Sequence, residues 1–112
     1  MGLFKRKQVV FEQDGIAVGE FDPTEPSLYR NVMHFHINVK PKRLLYLHAE
    51  SDYPVDVAVF NQTGNPVRHL DGITDDTLGP ISTENWTEMS FVLGVFRGDK
   101  ATVDVEAWTE RK

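Results

Sequence analysis

The chain has 112 residues, a formal net charge of −5 and no cysteine. That length suits one domain with its own core, and the missing thiols exclude disulfides, thiolate metal sites and cysteine nucleophiles. The acidic balance disfavours nucleic acid and anionic membrane, which reward basic faces, and no apolar run approaches the roughly 20 residues that span a bilayer.

Taken in chain order, strand signals recur and no helical stripe is found. Residues 1–7 are basic, lack an apolar signal-peptide core and read as a frayed terminus. Gln8 to Glu12 and Ile16 to Phe21 flank Asp14-Gly15, a strong hairpin turn signal. Asp22 to Arg30 carries two prolines and reads as a loop. Met33, Phe35, Ile37 and Val39 alternate with His34, His36 and Asn38, which puts the apolar set on one strand face and the histidines on the other. Leu45, Leu47 and Ala49 form the next inward set, followed by Val55, Val57 and Val59.

The stretch Asn61 to Pro66 is turn-rich. Val67 to Leu70 reads as a short edge strand, and Asp71 to Asn85 as a long loop. The closing segment alternates most regularly. Met89, Phe91, Leu93 and Val95 precede a turn at Arg97-Gly98-Asp99, and Ala101, Val103, Val105 and Ala107 follow it. It reads as a hairpin that pairs Leu93 with Val103 and sets Glu88 beside Trp108. The expected architecture is therefore all-β: a single antiparallel β-sandwich of seven to eight strands, jelly-roll-like in its connections.

Three constellations could carry chemistry. If the His34–His36 strand pairs with the next one, Val39 against Leu45, then His36 faces His48 and His34 faces Glu50. His34, His36, His48 and Glu50 would then bind zinc or another divalent transition metal, and a metal-dependent enzyme becomes thinkable. The alternative is four ordinary surface or half-buried histidines. Between Arg68 and Arg97 there is no Lys or Arg, and Asp71, Asp75 and Asp76 offer the hard oxygens that calcium takes. A solvated acidic loop, or one that docks on a basic partner, is the alternative there. Trp86, Trp108, Tyr46 and Tyr53 fall on predicted wet faces or in loops, where they would serve a protein contact or stack on carbohydrate; the alternative is a tryptophan that covers the sandwich edge or packs on the N-terminal hairpin.

The block from Val32 to Trp108 resembles the GOLD and bacterial pre-peptidase C-terminal β-sandwich domains. The features that carry the resemblance are the strand Val32 to Val39, then Leu44 to Ala49, then Val55-Asp56-Val57-Ala58-Val59-Phe60 leading to a Gly64-Asn65 turn, and the closing Ser90 to Trp108 segment. The resemblance implies a non-catalytic module that makes protein or carbohydrate contacts, and it assigns no site residue. The resulting expectation is a cytoplasmic, non-enzymatic domain that binds another protein or a second copy of itself, with no cofactor required.

Overall fold

The computed structural model describes residues 7–19, 32–96 and 98–112. They form six strands and no helix: β1 (Gln8–Val18), β2 (Val32–Asn38), β3 (Arg43–Phe60), β4 (Pro66–Ser82), β5 (Glu88–Gly94) and β6 (Ala101–Arg111). All pairings are antiparallel. The sheet order is β1-β6-β3-β5-β2, with β4 on the other edge of β3.

The 18-residue β3 organises this sheet. Its one edge carries β4 along nearly its whole length. Its other edge carries β6 from Arg43 to Ser51 and then β5 from Asp56 to Phe60. β5 and β6 thus lie end to end beside β3, with β2 added outside β5 and β1 outside β6. The molecule has two halves that share the β3–β4 hairpin.

A corner in β3 separates the halves. Glu50 pairs with Asp75 and Val55 with Ile73, so β3 runs through Ser51, Asp52, Tyr53 and Pro54 where β4 has only Thr74. Such an excess of residues on one strand bends it. The bend is large. Phe11 lies beside Ala107 and, through it, Leu47, whereas Phe91 lies beside Val59. A straight strand would hold those two places about 40 Å apart, yet the Phe11 ring centroid is 5.1 Å from that of Phe91 and 5.5 Å from that of Phe35. The sheet curls into a half-barrel whose apolar face turns inward.

The alternation seen in the sequence assigns that inner face well. Leu45, Leu47, Ala49, Val55, Val57, Val59, Met89, Phe91, Leu93, Val103, Val105 and Ala107 are all buried.

Several expected pairings are replaced. Six described strands stand in place of seven or eight, because segments read as separate strands run together. The Asp14-Gly15 signal marks a bulge inside β1: Gln13 pairs with Val105 and Ile16 with Val103. Gly15 takes φ +68° there, and its amide donates to Asp104 Oδ1 at 2.8 Å. The Ile16–Phe21 segment ends as strand at Val18, and Glu20, Phe21 and the Asp22–Arg30 loop lie outside the described residues.

The Asp71–Asn85 segment is not one long loop, since most of it is β4. Its period of two is interrupted by bulges at Gly72 and at Gly79-Pro80, so its buried residues are Ile73, Leu78 and Ile81. The closing segment is two strands but not a hairpin. Both β5 and β6 pair with β3, and Leu93 meets Val57 and Met33 rather than Val103. The turn between them is kept by the Asp99 amide on the Phe96 carbonyl, and Arg97 lies outside the described residues.

Candidate functional site

With the inner face filled by side chains, chemistry is left to the two outer faces, and these differ sharply. On the half built from β1, β6, β3 and β4, register lays two adjacent rows across the strands. One row runs Glu12, Glu106, His48, Thr77; the next runs Asp104, Glu50, Asp75. Like charges opposite one another in a sheet repel, so this face needs cations or hydrogen bonds to be tolerated. It has some of both. Lys7 Nζ lies 2.7 Å from Glu106 Oε1, and this hydrogen bond is the largest cause holding the Glu106 carboxyl below its ordinary range. His48 Nε2 lies 3.0 Å from Asp75 Oδ1, and its Nδ1 lies 2.8 Å from Thr77 Oγ1. The ligand atoms of His48, Glu50 and Asp75 all fall within 4.8 Å of one another.

The other half, β2, β5, β3 and β4, presents a face with little charge. Its central row runs His34, Val92, Ala58, His69, and the next runs His36, Ser90, Phe60, Pro66. Val32 and Asp56 lie at one end and Glu88 at the other. Two open grooves, about 460 and 320 Å³, cross this face and share Val92 in their walls. The larger is flanked by His34, His36 and the Asn61–Gly64 turn. That turn is tied by its own side chains: Asn61 Oδ1 accepts from the amides of Thr63 and Asn65, and Gln62 Oε1 accepts from the Thr87 amide at 2.8 Å.

The expected histidine cluster does not form. β2 pairs with β5 and not with β3, so Val39 does not face Leu45 and His36 faces Ser90. His34 and His36 keep each other's company at 4.8 Å between ring centroids, with Glu88 Oε1 3.5 Å from His36 Nδ1. His48 and Glu50 stand on the other half, where Asp75 joins them. The acidic trio also separates. Asp75 and Asp76 are consecutive on β4 and point to opposite faces, while Asp71 borders the smaller groove of the other half.

No protein-family model matches this chain, and no curated protein matches it either. The site residues therefore stand on their own geometry.

The aromatic set is also divided. Tyr46 and Trp108 face each other across β3 and β6 and stack at 5.5 Å with 11° between planes. Lys7 Nζ covers Trp108 at 4.4 Å from the ring centroid, and the indole N–H donates to Glu110 Oε2. These rings are occupied with one another. Trp86 is half-buried against the core, and Tyr53 is exposed at the corner of β3. Sequence reasoning missed Asp75 as a neighbour of His48, because the bulges of β4 hide which of its residues share the outer face. It also missed Phe96, which is 80% exposed just past the end of β5 and carries no periodic signal.

Proposed function

We propose that this chain is a non-catalytic β-sandwich module, jelly-roll-like in its halves, that binds another protein through the low-charge outer face of β2, β5 and β3. The observation that carries the reading is the contrast between the two faces. One bears a block of carboxylates, whereas the other offers Val32, Val92, Ala58 and Phe60 among imidazoles and small polar groups. Val32 is exposed and the other three are half-buried, and accessible apolar surface of that kind, rimmed by polar residues, is what partner docking uses. The contact of Phe11 with Phe35 and Phe91 across the halves supports the sandwich reading. The resemblance to GOLD and pre-peptidase domains favours the same class of function.

The partner is a second copy of the chain. β2 ends the sheet order, and among the described residues no strand is paired to its outer edge. About Phe35 its sequence is close to symmetric, with Met33 against Ile37 and His34 against His36. A two-fold axis through Phe35 would therefore match apolar with apolar and imidazole with imidazole, as an isologous contact requires. β2 also lacks the prolines and charges that usually guard an edge, whereas β4 carries Pro66, Pro80, Asp71, Asp75 and Asp76.

The test is sedimentation equilibrium of the full chain over a concentration series. The expected result is a mass rising toward the dimer, abolished by the paired change His34→Glu and His36→Glu, which sets carboxylates opposite one another across the two-fold axis, with an unchanged circular dichroism spectrum, and unaffected by Glu12→Gln. A monomeric mass at every concentration, or a dimer indifferent to His34→Glu with His36→Glu, would refute it.

A further inference from the structure

The acidic half carries a second site, independent of the partner face. His48 and Glu50 are two apart on β3 and so project to the same side, and Asp75 is directly opposite Glu50 on β4. We propose that His48 Nε2, Glu50 and Asp75 bind one divalent transition-metal ion on the outer face of the sheet. One imidazole nitrogen and two carboxylates form a mixed donor set suited to zinc, manganese, iron or cobalt, in contrast to the all-oxygen set that calcium prefers.

The geometry is close to what such an ion needs. Donors around zinc sit about 2.0–2.2 Å from the metal, hence ~3.4 Å from each other in a tetrahedron. Nε2 and Asp75 Oδ1 are already 3.0 Å apart, and the set of three fits within 4.8 Å. A rotation of the exposed Glu50 side chain closes the remainder.

Two surrounding features belong to the same site. Thr77 Oγ1, 2.8 Å from Nδ1, accepts from Nδ1–H once Nε2 is metal-bound and fixes the ring's tautomer and orientation. Asp104, Glu106, Glu12 and Asp14 line the shallow depression next to His48 and Glu50. Their accumulated negative charge draws a cation toward the face and is relieved when one binds. Water completes the coordination on the solvent side.

The experiment is a zinc titration of the full, EDTA-treated and dialysed chain, read by calorimetry, by thermal melting and by NMR of the imidazole nitrogens. The expected result is one equivalent bound, a raised melting temperature, and a metal-induced shift at His48 Nε2 with His34 and His36 unmoved. His48→Ala and Asp75→Asn should each abolish binding. Thr77→Val should weaken it by about 10- to 100-fold while keeping the stoichiometry. Because Thr77 and His48 are at the surface, melting of each metal-free variant separates lost binding from lost folding. Absence of zinc binding by the native chain, binding that survives His48→Ala, or shifts confined to His34 and His36 would each overturn the proposal.

Discussion

Lys7 serves two neighbours at once, and that shapes the acidity of Glu106. Its ammonium donates to the Glu106 carboxylate and sits over the Trp108 ring, which itself stacks on Tyr46. The hydrogen bond from Lys7 is the largest cause that holds the Glu106 carboxyl below its ordinary value of 4.5, with the lysine's charge adding to it and partial burial opposing it. A carboxyl with a depressed folded-state pKa contributes stability above its unfolded pKa and loses it as pH falls through the folded value. Lys7→Met should therefore lower the stability at neutral pH by under ~1 kcal/mol, the range of an exposed pair, and the melting temperature with it. The difference between the two chains should shrink once the solution is acidified below the carboxylate range, leaving the part that comes from the ammonium over the Trp108 ring. Parallel melts at neutral and strongly acidic pH measure it.

Among elements, the corner of β3 shows how acidic residues can be structural. Asp52 Oδ1 accepts from the Thr102 amide and Asp56 Oδ1 from the Gly72 amide, both at 2.8 Å. The two aspartates tie the bend to β6 on one side and to the Gly72 bulge of β4 on the other. Asp52→Ala should hand the exposed Thr102 amide over to water and cost about 0.5–1 kcal/mol, read as a lower denaturant midpoint with little change in slope.

This corner also explains what was legible in the chain. The alternation of Met89 to Val95 and of Ala101 to Ala107 correctly assigns an inner face, because period two is a property of each strand alone. It cannot assign partners. A turn after β5 satisfies a hairpin and an end-to-end arrangement along β3 equally, and the choice depends on a bend generated at Ser51–Pro54, a tertiary feature. The same limit dissolved the pairing of His36 with His48. Asp75 was hidden for a different reason: Gly72 and Gly79-Pro80 shift the phase of β4, so counting by twos loses its face. The site at His48 and Glu50 was visible by spacing, and its third member was not.

At the scale of the molecule, the two halves are held face to face by rings drawn from both. Phe11 packs edge-on against Phe35 and Phe91, which stack on each other at 5.1 Å. Phe91 is fully buried among Val57, Val59 and their neighbours. Truncation to alanine removes the contact between halves as well as its own burial. Phe91→Ala should cost about 3–5 kcal/mol and lower the stability of both halves together. Hydrogen exchange checks this: protection at Val59 and at Val105 should fall in step. A loss limited to the β2–β5 half would show that the halves open independently.

The end-to-end placement of β5 and β6 also has a consequence for the order in which the fold can be assembled. Of the six strands, β1 leaves the ribosome before the others, but the strand it pairs with is β6, through contacts as distant as Gln8 with Thr109. β2 likewise waits for β5. The hairpin of β3 and β4 is the part that can form from neighbouring sequence alone, so it is the natural seed of the sheet. Until the later strands arrive, Val10, Phe11, Ile16 and Val18 have no ladder to join. Nascent chains should therefore engage holdase chaperones through the β1 segment, and refolding should be governed by loop closure over nearly the whole chain, a slow step for its size.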